Sequence, residues 1–348
     1  MIGRPPPLTA RISTVEAPRP ITRDSVLSPY LHDKAKEWLA LPENVSRFEG
    51  VRFADSIALP GMNSAADRPT KSPWLLVHGN ISSAADMAEV AEVLGREEGL
   101  GSNALYGYSY GANPDWSKTN LIKKLIAANS QGIDPAFIRE VRAQLEFTLA
   151  ETGAEKINVL GHSLGCSLLA AAIQGGPELG PSLAGRVNTA VFAGGGFQGL
   201  KTALSLPFFP STNPKDGFFP GVPSLNPVAW AKALPRGLAA LAHGNLDAFD
   251  VPVMGRSRAV QAILDGGTLG ANVFSMRSER DEVVGGGPVP LGSILYGRQT
   301  SRAPHQDGEL VFPFSAKISH LDLLGKEAAT ALAAFLRDKG VSQATPQP

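Results

Sequence analysis

Short apolar runs alternate along the chain with stretches in which apolar residues recur every three or four positions. The short runs, rich in β-branched or aromatic residues, are typical of buried strands. They lie at 74–77, 104–108, 157–160, 188–193 and 272–276. The stretches between them have helical spacing, as in Met87, Val90, Ala91 and Leu94, which would form one buried face. Alternating strands and helices predict an α/β fold, a mostly parallel central sheet with helices on both faces.

Polar residues and prolines mark the predicted starts of two helices. Ser83 followed by Asp86 is a capping-box pattern, and Asp134-Pro135 combines an N-cap residue with proline in the first turn. We predict three more helices, at 30–41, where Pro42 follows, at 257–264 and at 322–339.

Two regions depart from this alternation. Residues 1–70 are rich in proline and polar residues, and we expect an N-terminal arm with one helix, followed by a catalytic domain over 71–340 and a flexible tail at 341–348. Residues 200–250 carry prolines that exclude long helices and aromatic residues that are unlike a fully solvated loop. This insertion is either an irregular excursion with its own small core or a cap that lines the substrate cleft.

Composition narrows the function classes. The chain has 32 basic and 32 acidic residues, so its charge gives no reason to expect a nucleic-acid partner. No apolar run is long enough to span a membrane, and the single cysteine, Cys166, excludes an intrachain disulfide. The N-terminus lacks the apolar core of a signal peptide, which leaves a cytoplasmic protein and a secreted mature form both open. The oligomeric state stays open too.

Cofactor and metal motifs are weak or missing. Residues 194–199 read G-x-G-x-x-G, but a Pro- and Phe-rich segment follows instead of the helix that a dinucleotide site needs. The sequence has no H-E-x-x-H and no Cys/His cluster. We therefore predict neither a cofactor nor a metal.

The strongest motif is Gly161-His162-Ser163-Leu164-Gly165, a match to G-x-S-x-G between a predicted strand and a small-residue apolar run. A sharp strand-to-helix turn of this kind exposes the serine hydroxyl as a nucleophile, and the two glycines let strand and helix approach. Ser163 is therefore the candidate nucleophile. The backbone N–H of Leu164, at the start of the new helix, is a candidate oxyanion donor.

A serine needs a histidine base, which needs an orienting acid. After such a turn the acid comes next along the chain and the histidine follows it. Of the six histidines, this order and the position of each leave His305 and His320. We favour His320, because it leads directly into the last predicted helix, whereas His305 lies in a polar loop.

The acid is expected just after the strand at 272–276, on the edge where open α/β sheets build their sites. Asp281 is favoured over Glu282 there, Asp265 and Asp250 are more distant alternatives, and a solvated charge run remains the plain alternative. The loop after the first core strand holds Asn80, whose backbone N–H is the second candidate oxyanion donor. We expect His78 to hold the shape of this loop. Aromatic residues in loops or at strand ends are the candidate substrate contacts: Tyr108, Tyr110, Phe197, Phe218 and Phe219.

These segments also carry a family resemblance. The chain resembles α/β-hydrolases of the bacterial class 2 lipase type and, within that group, the extracellular polyhydroxybutyrate depolymerases that lack the usual lipase box. The resemblance covers about residues 70–340. The matching pieces are 77–80, the Ser163 turn, 192–200, 218–220 and 280–285. The resemblance implies a triad of Ser163, Asp281 and His320, an oxyanion donor at Asn80, and carboxylic-ester substrates.

We therefore predict a serine hydrolase that cleaves esters of hydrophobic acids through an acyl-enzyme. A polyester (polyhydroxyalkanoate) depolymerase and an amidase or acyltransferase are alternatives that would use the same triad. A non-catalytic binding protein with the same fold is an alternative of another class.

Overall fold

A computed structural model describes ten segments of the chain. They are residues 29–51, 53–58, 72–79, 82–97, 105–110, 135–195, 197, 263, 265–281 and 303–341. The predicted insertion at 200–250, most of the predicted helix at 257–264 and the tail beyond 341 lie outside these segments.

One sheet of seven strands organises the fold, in the order β1-β3-β2-β4-β5-β6-β7. The strands are β1 (Ala54–Ala58), β2 (Trp74–Val77), β3 (Leu105–Ser109), β4 (Ile157–His162), β5 (Val187–Ala193), β6 (Asn272–Ser278) and β7 (Gly308–Phe312). Strand β1 pairs antiparallel with β3, and the other neighbouring pairs are parallel. The predicted mostly parallel sheet is confirmed.

Six α-helices accompany the sheet within the described segments. They are α1 (Pro29–Leu39), α2 (Pro42–Val45), α3 (Ala88–Glu97), α4 (Pro135–Thr152), α5 (Leu164–Gln174) and α6 (Lys326–Asp338). Residues of α1, α4 and α5 belong to one hydrophobic cluster, and residues of α3 and α6 belong to a second. Helices therefore cover both faces, as predicted.

Strand β2 is continuously apolar because both of its faces are buried. Leu75 and Val77 belong to the cluster on the α1, α4 and α5 side, whereas Trp74 and Leu76 belong to the cluster on the α3 and α6 side. Successive side chains point to opposite faces of a strand, and here both faces are buried. Parallel strands of this kind bring their carboxyl ends, and the loops that follow, to one edge of the sheet.

Two strands differ from the sequence prediction. Strand β1 lies within residues 1–70, which we expected to form an arm, and Phe48 and Phe53 from the same region are buried in the sheet-covering core. Strand β7 is at the other edge of the sheet, and residues 308–311 are only partly buried. Edge strands need no long apolar run, so periodicity gave little signal for either one.

The predicted last helix also has a different start. A short 3-10 turn, Leu321–Leu324, comes first, and α6 begins after Gly325, whose backbone is extended. The predicted capping box at Ser83 and Asp86 is present, although it opens a 3-10 turn, Ala84–Met87, which continues into α3.

Candidate active site

Ser163 is at the sharp turn between β4 and α5. Its backbone has φ 53° and ψ −123°, a conformation that is costly for a residue with a side chain. The turn is held in place because the Ser163 N–H donates to the Ala193 carbonyl at the end of β5, at 2.9 Å. Ser163 is 9% exposed. Strand β4 and its neighbour β5 therefore fix the serine at the carboxyl edge of the sheet.

The two glycines of the motif are required by close backbone contacts. A Cβ on Gly165 would lie 2.2 Å from the His78 carbonyl oxygen, because α5 passes directly against the end of β2. A Cβ on Gly161 would lie 3.0 Å from the backbone nitrogen of Cys166, in the first turn of α5. The prediction that these glycines let strand and helix approach agrees with this packing.

Leu164 is the first residue of α5, which is 11 residues long. The first N–H groups of a helix have no carbonyl partner within it and carry the positive end of the helix dipole. The position of Leu164 is therefore suited to an oxyanion donor. The second predicted donor, Asn80, lies outside the described residues.

A carboxylate and an imidazole form a buried pair at the same edge. Nδ1 of His320 lies 2.8 Å from Oδ2 of Asp281, and both side chains are buried. The carboxylate can only accept, so Nδ1 carries the proton and Nε2 of a neutral imidazole keeps its lone pair. Among the alternatives, His305 is exposed and contacts the Gly266 carbonyl, and Asp265 is exposed. The other two candidate acids, Glu282 and Asp250, lie outside the described residues.

Gly194 connects this pair to the serine turn. A Cβ on Gly194 would lie 3.0 Å from Cε1 of His320 and 3.1 Å from Oδ2 of Asp281. Gly194 directly follows Ala193, whose carbonyl accepts the Ser163 N–H. The three predicted triad residues therefore surround one short piece of backbone at the end of β5. Gly194 has φ +57°, a second reason for glycine at this position.

The segments that carry Asp281 and His320 are tied together. The Ser278 hydroxyl, at the end of β6, donates to the Ile318 carbonyl at 2.5 Å and accepts the Arg280 N–H at 3.0 Å. Asp322 accepts the Ser319 N–H at 2.9 Å. These bonds fix the turn before the acid and the turn around the histidine. The sequence prediction missed Ser278, since a single serine at a strand end gives no signal of its own.

His78 and Tyr110 brace the loop that follows β2. Nδ1 of His78 donates to the Gly79 carbonyl at 2.8 Å, and Nε2 accepts the Tyr110 N–H at 3.1 Å. The two rings are stacked, with centroids 4.1 Å apart, and the Tyr110 hydroxyl donates to the His78 carbonyl at 3.0 Å. Burial lowers the pKa of His78 to about 4 and raises the pKa of Tyr110. A neutral ring and a protonated hydroxyl are the forms that this network needs.

The predicted aromatic substrate contacts are placed differently from what we expected. Tyr108 is 0% exposed and packs against Phe53 and Phe147. Tyr110 is buried against His78, and Phe197 is buried against Phe192. Burial gives these three side chains packing and bracing roles in place of the expected substrate contact. The other two, Phe218 and Phe219, lie outside the described residues.

His162 is a further member of the site that sequence reasoning set aside. It is buried, its Nε2 lies 3.0 Å from the His320 carbonyl oxygen, and the two rings are 4.7 Å apart. Burial, assisted by the neighbouring His320, lowers the pKa of His162 to about 3. The sequence analysis did not take this ring as a base for its own neighbour Ser163, and it gave no indication of a contact with residue 320.

In the described part of the chain, the His, Cys, Asp and Glu side chains form no group of three or more that could hold a metal ion. None of the helices in this part of the chain combines the length and hydropathy needed to cross a bilayer.

A mostly parallel sheet with a strained serine turn between a central strand and the following helix defines the α/β-hydrolase class. The model of the family described as Lipase (class 2) matches residues 71–320, which is more than half of the chain. The chain therefore belongs to the class 2 lipase family, a family of ester hydrolases.

Solved structures that are similar to this chain include three hydrolases of low sequence identity. Carboxylesterase CesB from Bacillus subtilis is 14% identical, with a TM-score of 0.41 over 88% of this chain and 99% of that chain. A hyperthermophilic esterase from Pyrobaculum calidifontis is 15% identical, with a TM-score of 0.42 over 91% and 99%. A serine hydrolase from Cycloclasticus zankles is 16% identical, with a TM-score of 0.36 over 78% and 90%. No curated protein sequence matches this chain.

Proposed function

We propose that the protein hydrolyses carboxylic esters of hydrophobic acids through a triad of Ser163, His320 and Asp281. The observation that carries this proposal is the buried Asp281–His320 pair, packed against the backbone that also holds the Ser163 turn. The family supports ester hydrolysis as the reaction class.

The first half of the reaction forms an acyl-enzyme. Oγ of Ser163 attacks the ester carbonyl carbon while Nε2 of His320 takes the hydroxyl proton. Negative charge then develops on the carbonyl oxygen, which the N–H groups of Leu164 and Asn80 would stabilise. The tetrahedral intermediate collapses, the ester C–O bond breaks, and the imidazolium of His320 returns the proton to the leaving alcohol.

The second half regenerates the serine. Nε2 of His320 takes a proton from water, the resulting nucleophile attacks the acyl carbon, and the acid leaves as Ser163 recovers its proton. Asp281 keeps Nδ1 of His320 protonated throughout and stabilises the imidazolium each time it forms. Apart from the substrate and water, every group in these steps is a side chain or a backbone N–H of the chain.

An apolar side chain beside the histidine supports a hydrophobic substrate. Leu321 directly follows His320 and is 70% exposed, whereas most of the leucines that the structure describes are buried. Phe314, in the turn after β7, is also exposed. A formal net charge of zero gives no reason to expect a charged substrate.

Covalent labelling tests the proposal. A fluorophosphonate probe should label wild-type protein at Ser163, and Ser163→Ala should abolish both labelling and hydrolysis of p-nitrophenyl esters. His305→Gln is the matched control, since the exposed His305 should be dispensable. A folded wild-type chain that takes up no label would contradict the proposal and favour a binding protein.

The acyl preference needs its own assay. Hydrolysis rates over p-nitrophenyl esters of increasing chain length should rise from acetate to a medium-chain acid. A polyester emulsion assayed in parallel would give soluble hydroxyacids if polymers are substrates. A preference for the shortest ester would remove the hydrophobic-acid part of the proposal while leaving the triad intact.

A further inference from the structure

The side chain of His162 sits at the centre of the site, although none of the reaction steps uses it. It is buried at the end of β4, between the loop that carries His320 and the loop that carries Gly79. The neighbouring Ser163 is the proposed nucleophile, and the G-x-S-x-G motif does not specify the residue at position 162. The contacts of this ring give a specific reason for histidine.

The hydrogen bond to residue 320 fixes the tautomer of His162. A carbonyl oxygen only accepts, so the 3.0 Å contact places the proton of the neutral imidazole on Nε2, which donates to the His320 carbonyl. Nδ1 is then a lone-pair acceptor. It is buried and has no hydrogen-bond partner among the described residues, and it lies 2.9 Å from the position of a Cβ on Gly79.

We propose that His162 is a positioning residue, whose Nε2–H holds the main chain of His320 so that the imidazole meets Ser163. This inference rests on the proposed triad. Asp281 fixes Nδ1 of the His320 ring, and His162 fixes the backbone from which that ring projects. One bond sets the ring's rotation and the other sets its place.

The position of the bond explains why it matters for the chemistry. His320 directly precedes the short 3-10 turn Leu321–Leu324, and its neighbours 318 and 319 are held by Ser278 and Asp322. The carbonyl of His320 faces strand β4, and it accepts the hydrogen bond from Nε2–H of His162 at the end of that strand. Without this donor the His320 carbonyl would lose the hydrogen bond that ties it to β4, and a shift of about 1 Å at a reacting group can cost about 100-fold in rate.

Two amide variants separate this role from simple packing. In His162→Gln the amide nitrogen can reach the position of Nε2 and keep the bond to the His320 carbonyl. In His162→Asn the shorter side chain reaches only the position of Nδ1. Both variants are neutral, polar and smaller than histidine, so they differ mainly in the presence of this one donor.

We expect His162→Asn to lower kcat about 10- to 100-fold with little change in KM, because the lost interaction orients a catalytic group. The second-order rate of fluorophosphonate labelling should fall in parallel. His162→Gln should recover most of both rates. Thermal unfolding of each variant, followed by circular dichroism, shows whether the fold is retained.

The outcomes separate this inference from the function itself. If wild-type protein is not labelled, the proposed triad fails. If wild-type protein is labelled but Gln and Asn at position 162 give equal rates, the triad stands and the positioning role is wrong. If His162→Asn does not fold, the inference is decided by His162→Gln against wild type, and a kcat loss above about 10-fold there contradicts it.

Discussion

Oδ2 of Asp281 lies 2.8 Å from Nδ1 of His320, and both side chains are shielded from solvent. The carboxylate accepts the Nδ1 proton and so leaves the Nε2 lone pair available to a serine. An amide at position 281 could instead donate to Nδ1, which would move the proton to Nε2 and remove the base.

Asp281→Asn should therefore lower kcat by about 10⁴ with the fold intact, as expected when the wrong tautomer is stabilised. Initial rates on a p-nitrophenyl ester measure this. Glu282→Gln is the matched control, since Glu282 is the adjacent carboxylate that the sequence left as an alternative, and it should retain most activity. A large loss in Glu282→Gln with little loss in Asp281→Asn would assign the acid to residue 282.

Gly165 makes a second testable contact, where α5 crosses the end of β2. A Cβ there would lie 2.2 Å from the His78 carbonyl oxygen and 2.6 Å from that of Val77. Gly165→Ala must push the helix away from the sheet, and overpacking of this kind costs about 1–3 kcal/mol or more. We expect a lower urea midpoint together with a loss of activity.

Gly185→Ala is the control for that substitution. A Cβ on Gly185 would meet no atom within 4 Å, and its backbone is not left-handed. Its urea midpoint should stay near that of wild type. Equal midpoints for the two alanine variants would show that the serine turn can relax, contrary to the close packing described above.

Sequence reasoning was most successful where periodicity and local motifs agree. The parallel core strands and the G-x-S-x-G turn combine an apolar run with residues that only a tight turn requires, and the sheet is as predicted. The structure brings Asp281 and His320 together because β6 and the segment after β7 end at the same edge. Chain order, the position of Asp281 after a predicted strand and that of His320 before the last helix pointed to this pair.

The remaining features depend on tertiary contacts that leave no periodic trace. Strands β1 and β7 are sheet edges with mixed patterns. Tyr108 and Tyr110 follow each other closely in sequence, yet Tyr108 faces the α1 and α4 core while the hydroxyl of Tyr110 meets the His78 carbonyl. An aromatic residue at the end of a strand gives the same sequence signal whether it lines a substrate cleft, packs in the core or supports a loop.

This difference between the two tyrosines can be measured. Tyr110→Phe keeps the ring stacked on His78 but removes the donor to the His78 carbonyl. We expect kcat to fall about 10-fold, because the loop after β2, which carries the proposed oxyanion donor Asn80, loses one of the bonds that shape it. This loss is smaller than the factor of about 10²–10³ that removal of an oxyanion donor itself costs. Tyr108→Phe is the control and should leave kcat unchanged. A larger loss in Tyr108→Phe would restore that residue as a substrate contact.

Two buried neutral histidines predict how stability depends on pH. Burial lowers the pKa of His78 to about 4 and of His162 to about 3, whereas an unfolded histidine titrates near about 6.5. Between these values the unfolded chain binds protons that the folded chain does not. Unfolding free energy should therefore be constant above about pH 6.5 and fall as the pH drops below it, by up to about 1.4 kcal/mol per pH unit for each ring.

Urea unfolding at several pH values between about 5 and 7 measures this slope above the range in which most carboxylates titrate. His78→Gln removes one titrating ring while its amide can still accept the Tyr110 N–H. This variant should show a shallower slope over the same interval, whatever its absolute stability. An unchanged slope would mean that His78 gains its proton as readily in the folded chain as in the unfolded one, and that the stacked His78–Tyr110 pair tolerates a charged ring.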